Sequence, residues 1–185
     1  MVATLATTAL SGAEDQAIDV STSTLTIHVF KSGLFSAFAD NHVVSARIAS
    51  GLLSETGVCI VARTSALTVL DPDASESARA EVQQRMLGPE VLDSERFPEI
   101  TFTSTVVERA GNDRWRVTGN LILHGRKRPL SVTVTERDGH YFGTFALKQR
   151  DFGIEPVRVA GGVVRVKDEL TVEFDIVSAP GGARE

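Results

Sequence analysis

The stretch WRVTGNLILHGRKRPLSVTVTERDGHYFGTFAL, residues 115–147, decides the fold. Trp115, Val117, Gly119, Leu121 and Leu123 fall on alternate positions, and so do Leu130, Val132 and Val134. Tyr141, Gly143, Phe145 and Leu147 repeat the pattern. A period of two places such residues on one face of a strand and the intervening polar residues on the other. Between the runs stand His124-Gly125, followed by Arg126-Lys127-Arg128, and Asp138-Gly139, where tight hairpin turns belong. Strands joined in this way form an antiparallel meander with one buried face.

The same period extends in both directions. Leu25, Ile27 and Val29 share a face opposite Thr24, Thr26 and His28. Ile100, Phe102, Ser104 and Val106 form another such set, as do Leu170, Val172, Phe174 and Ile176. Residues 43–48, 58–63 and 65–70 read as three further strands, and Gly111-Asn112-Asp113 as another turn. A sheet of about eight to ten strands with one apolar face either closes into a barrel or pairs with a second sheet. No strand–helix–strand repeat is present, which argues against a doubly wound nucleotide-binding sheet.

One segment departs from this pattern. Residues 76–87 follow a helical period, with Ala78, Val82, Met86 and Leu87 as the apolar stripe and Asp73 or Ser75 as the cap. Gly88-Pro89 ends it, with glycine expected in the left-handed conformation that suits a helix end. A second departure is FKSGLFSAFADNHVV, residues 30–44, which brings three of the nine phenylalanines together ahead of Asp40, Asn41 and His42. Leu34, Phe35 and Phe38 have the spacing of one helical turn and read as an apolar plug or lip at the end of the barrel, with His42 as a turn residue at its rim.

Composition narrows the function. The 185 residues are 42% hydrophobic and 23% charged, with a net charge of −5, so an average field of this sign repels a phosphate backbone and nucleic acid is not the expected partner. The lone Cys59 rules out an internal disulfide and reads as a packing residue. No apolar run reaches the ~18 residues of a transmembrane helix. Residues 1–17 read as a mobile tail or a weak or trimmed export signal, because the Ser-x-Ala pattern at 11–13 lacks a basic region before it. Residues 18–178 form one domain and 179–185 a C-terminal tail.

Catalytic motifs are scarce. None of His28, His42, His124 and His140 stands in a zinc-ligand spacing, and no nucleophile elbow, P-loop or dinucleotide fingerprint occurs. His124 and His140 read as solvated turn residues. Asp151 and Glu155 read as surface carboxylates. What rises above background is the set of large apolar side chains on the inward face: Phe102, Trp115, Phe145, Leu147 and Phe174. They fill a core, or they line a barrel wide enough for one apolar ligand.

Several strings resemble the YceI-like family, the lipid- or polyisoprenoid-binding domain. They are LDSERFPEITFTST at 92–105, VTGNLILHG at 117–125 followed by Arg128-Pro129-Leu130, and RDFGI at 150–154. The resemblance covers about residues 18–177. It implies a mainly all-β, lipocalin-like extended antiparallel barrel of about eight strands with one inserted helix over one side. It also implies a non-catalytic carrier whose interior holds an isoprenoid or other amphiphile, in the periplasm or secreted; without an export signal the chain is cytoplasmic. The residues themselves point to no cofactor and no metal. On the carrier reading Leu34, Phe35, Phe38, His42, Phe102, Trp115, Phe145, Leu147 and Phe174 contact the ligand, and a homodimer is compatible with the fold. The family pattern His-Asp-His falls on Asp40-Asn41-His42, which weakens a metal or proton-transfer role there. Two alternatives remain open: a small metal- or His-dependent enzyme using His42 and Asp40, and a ligand-free scaffold with a packed core.

Overall fold

The computed structural model describes residues 15–32, 41–159 and 164–179. Leu34, Phe35, Phe38 and Asp40 lie outside the described residues. The alternating runs form strands β1 (Gln16–Ala17), β2 (Thr24–Ser32), β3 (His42–Ala46), β4 (Ile48–Leu53), β5 (Val58–Arg63) and β6 (Thr68–Val69). Helix α1 (Glu76–Leu87) follows. Then come β7 (Glu99–Arg109), β8 (Arg114–Leu123), β9 (Arg126–Arg137), β10 (His140–Lys148), β11 (Arg158–Val159) and β12 (Val164–Val177).

All pairings in the sheet are antiparallel, in the order β1-β4-β5-β7-β8-β9-β10-β12-β2-β3-β6, with β11 beside β12. Eleven strands on this path exceed the eight expected, and the reason is local. Only Arg47 separates β3 from β4; the first pairs with β2 and the second with β5. One bent stretch of chain therefore serves both ends of the path and gives the sheet its barrel-like curl. β1, β6 and β11 are two-residue additions. The expected strand at 65–70 shrinks to β6 because Thr64–Ala66 turn as a 3-10 helix.

Two hairpins have the turn chemistry expected of them. His124 and Gly125 have φ of 50° and 68°, and Asp138 and Gly139 have 53° and 78°, so both central residues are left-handed as a type I′ turn requires. His124 is half-buried rather than solvated, with Nδ1 3.2 Å from the Phe152 carbonyl oxygen. His140 likewise has a partner, with Nδ1 3.0 Å from an Asp175 carboxylate oxygen.

Helix α1 begins where Ser75 Oγ accepts a hydrogen bond from the Ala78 N–H (3.2 Å), and it spans the predicted residues. Val82, Met86 and Leu87 pack on the core, while Ala78 is exposed. Gln83 ties the helix to the sheet: its amide donates to the Leu67 carbonyl (2.7 Å) and accepts from the Val69 N–H (2.8 Å). Gly88 does not take the left-handed conformation; its φ is −74°, and its N–H bonds back to Gln84 and Arg85 while the chain leaves extended.

One expected facing is reversed. β7 and β8 shift register between Ser104 and Val106, leaving Thr105 as an extra residue that donates its hydroxyl to the Thr118 carbonyl (3.2 Å). Such a bulge changes which alternate residues point inward. Val106 is consequently 44% exposed, and Val107 takes its place on the interior wall.

Candidate functional site: an apolar cavity with a polar mouth

The inward faces of the long strands do not meet in the middle. They enclose a cavity of about 510 Å³. Phe102, Trp115, Phe145, Leu147 and Phe174 all stand on its wall, among aliphatic residues from β2, β5, β8, β9, β10 and β12. Two glycines shape it by admitting aromatic rings. A Cβ on Gly143 would overlap the Phe174 ring, which lies across from it on β12, with Cε1 2.6 Å away. A Cβ on Gly119 would come within 2.7 Å of Phe102 Cζ. The rings thus lie back against the sheet, which keeps space open. Phe145 and Phe174 complete this side with centroids 6.4 Å apart and planes tilted by 47°.

The polar wall residues gather at one end. Gln16 lies on β1 beside the β4 terminus, and Ser54 and Glu55 lie in the β4–β5 turn. Arg109 ends β7 opposite Trp115, and Glu136 pairs with Tyr141 across the β9–β10 hairpin. The Arg109 guanidinium lies 5.0 Å from the Trp115 ring centroid and donates to the Asn112 carbonyl (3.1 Å). Burial, followed by the nearby Glu136 carboxylate, raises the Tyr141 hydroxyl above its ordinary pKa, so it stays protonated.

The opposite end is apolar. Leu67, Leu92, Leu123, Leu130, Leu147 and Leu170 line it. Phe152 and Ile154, both buried, belong to the same core cluster. The string at 150–154 makes this possible through a 3-10 turn ending at Gly153, whose φ is 74°. The Phe97-Pro98 string acts as a clasp. Buried Thr64 donates its N–H to the Pro98 carbonyl (2.9 Å) and its hydroxyl to the Phe97 carbonyl (2.6 Å). The Phe97 ring covers Gly125 and lies 4.4 Å from the His124 ring.

His42 stands apart from the cavity wall and is not a turn residue. It opens β3 opposite Val29, and its Nδ1 lies 2.5 Å from Asp71 Oδ2. The Asp71 side chain is only 5% exposed, and its other oxygen accepts the Val43 N–H (2.8 Å). A carboxylate so placed fastens the start of β3 to the chain leading into α1. Sequence reasoning passed over Asp71 because its partners lie 28 and 29 residues away. Among the described residues, no three His, Cys, Asp or Glu side chains cluster as a metal site would need.

Comparison with known proteins agrees with this architecture. The structure of a polyisoprenoid binding domain from Saccharophagus degradans, implicated in plant cell wall breakdown, superposes with a TM-score of 0.65 at 16% identity, covering 91% of this chain and 100% of that one. Burkholderia cenocepacia BcnA gives 0.61 at 16%, covering 88% and 99%. At such identities these likenesses speak for the fold. A UPF0312 protein of Vibrio cholerae is 30% identical over 124 residues, 61% of this chain, and the match spans 64% of that relative's length. The YceI-like domain model matches residues 16–178, and the chain belongs to the YceI-like family.

Proposed function

We propose that the protein is a non-catalytic carrier that holds one long-chain apolar or amphiphilic molecule, a polyisoprenoid or lipid, inside the barrel. The observation that carries this reading is the apolar cavity of about 510 Å³, which a scaffold with a packed core would not keep. At about 30 Å³ for a water-sized group, that volume has room for roughly 17 methylene-sized groups. Burying that many at ~0.8 kcal/mol each gives a gross ~14 kcal/mol. Association costs on the order of 4–15 kcal/mol, so retention requires the cavity to be largely filled. Chains of half that length, with a gross ~7 kcal/mol, hold much more weakly. The polyisoprenoid-binding description of the Saccharophagus domain supports the same ligand class.

Native mass spectrometry of gently purified protein tests the reading. The expected result is one bound apolar molecule per chain, removed by organic extraction and restored by adding a C15 to C20 isoprenoid alcohol. Protein that stays at its bare mass in both states defeats it. Export to the periplasm is part of the proposal, and cell fractionation checks it.

The His42–Asp71 contact favours a second reading, a His-dependent enzyme. Asp71 already has both oxygens occupied by the β3 strand start, which suits a fastening role. The readings separate on His42→Gln, which loosens the start of β3 under either one: the carrier keeps its ligand, whereas an enzyme loses turnover.

A further inference from the structure

The cavity has one polar end, and the charges there are unequal. Among the described residues, Glu55 and Glu136 reach the mouth against Arg109 alone, whose guanidinium is already engaged by the Trp115 face and the Asn112 carbonyl. Glu136, on the cavity wall, accepts the Gly139 N–H with one oxygen (3.3 Å). Around these carboxylates stand neutral groups that both donate and accept: the Tyr141 hydroxyl, the Ser54 hydroxyl and the Gln16 amide. The protein's net charge of −5 adds to the field at the mouth rather than opposing it.

We propose that this mouth is a headgroup site for an amphiphile whose head donates hydrogen bonds and carries no negative charge, a hydroxyl foremost, and that it rejects phosphorylated and carboxylate heads. The proposal rests on the carrier reading and adds to it the orientation and the chemical class of the ligand. The tail runs towards Leu123, Leu147 and Leu170, and the hydroxyl donates to Glu136 or Glu55 while Tyr141 donates to its oxygen. A carboxylate that accepts from a neutral hydroxyl makes a charge-assisted bond, which is stronger than a neutral one. The same carboxylates facing a phosphate across the mouth repel it, and more strongly at half-buried Glu136 than at exposed Glu55, where salt screens the charge.

Trp115 is the only tryptophan and lies at this mouth, so its emission reports the head directly. The experiment titrates the delipidated full chain with geranylgeraniol and with geranylgeranyl phosphate, which share one tail. The alcohol is expected to bind at least about tenfold more tightly, the ratio that one net unfavourable contact of ~1.4 kcal/mol produces. In Glu55→Gln/Glu136→Gln the ratio falls towards one through tighter phosphate binding, with alcohol affinity changed less. Glutamine keeps an acceptor for the Gly139 N–H, and the melting temperature verifies folding. As a second variant, Arg109→Gln widens the ratio. Equal or tighter binding of the phosphate by the unaltered protein overturns the headgroup assignment and leaves the carrier reading intact. A ratio unmoved by both variants also overturns it. Failure of both ligands to bind defeats the carrier reading itself, and this proposal with it.

Discussion

Gly143→Ala is expected to destabilise the protein, and Phe174 is the reason. Removing a glycine from a strand interior ordinarily gains about 0.5–1 kcal/mol, because alanine loses less backbone entropy on folding. Here the added methyl would overlap Phe174 Cζ, with Cε1 at 2.6 Å and the Thr133 carbonyl oxygen at 2.9 Å. The ring must swing off the sheet, and overpacking of that kind costs about 1–3 kcal/mol. The net change is a loss of up to ~2 kcal/mol where the general rule expects a gain. In a Phe174→Ala background the ring is gone and only the Thr133 carbonyl resists, so the same substitution costs little. The coupling between the two positions is therefore at least about 1 kcal/mol, within the range seen for residues in contact. Urea denaturation of the four proteins in the cycle measures it, with Phe174→Leu as a milder partner where the alanine variant unfolds. The displaced ring also enters the cavity, so Gly143→Ala weakens binding of a C20 alcohol. If Gly143→Ala raises the urea midpoint equally in both backgrounds, the ring does not lie on the glycine and the account of how the cavity stays open is wrong.

Asp71→Ala leaves the Val43 N–H without its acceptor and strands the His42 ring, so a loss of about 2–6 kcal/mol is expected, at 1–3 kcal/mol for each such group; Asp71→Asn, which keeps an acceptor for Val43, costs less in the same urea assay. Tyr141 is the only tyrosine, so tyrosinate absorbance follows one group. Its midpoint lies above the usual value near 10, and Glu136→Gln lowers it part of the way while the contribution from burial remains. The fold favours the protonated hydroxyl, so this contribution is intact below the unfolded-state pKa and is lost as pH rises through the folded one. Gly125→Ala and Gly139→Ala both force alanine into a left-handed turn position at a cost of about 1–2 kcal/mol. Only Gly125 also meets the Phe97 ring, at 2.6 Å, so its thermal shift is the larger; equal shifts contradict the packing described for the clasp.

Much of the barrel was legible because its signals are local. Alternation in 115–147 placed the inward faces of β8, β9 and β10, and the two hairpin turns followed from His124-Gly125 and Asp138-Gly139. The helix limits followed from a cap and a stripe. Long-range features were not legible. Asp71 meets His42 only after β3 is placed, and a strand that serves both ends of the sheet looks in the sequence like any other run. Whether inward phenylalanines fill a core or line a void depends on how far apart opposing walls stand, which alternation does not record.

The polar mouth was missed for a more specific reason. Its residues lie at hairpin ends, where charged side chains ordinarily face water, and Arg109 would do so too if β7 alternated without interruption. Counting by twos from Ile100 and Phe102 keeps the even positions inward and sends Arg109 out. Thr105 breaks that count. After the bulge, Val107 pairs with Val117 and Arg109 with Trp115, and the odd positions face the cavity. One extra residue thus turns a surface arginine into the only cation on the cavity wall among the described residues, set against Glu55 and Glu136. The cavity's polarity is therefore set by register rather than composition: an uninterrupted β7 of the same residues would turn Glu108 inward in place of Arg109 and leave three carboxylates at the mouth with no cation beside them.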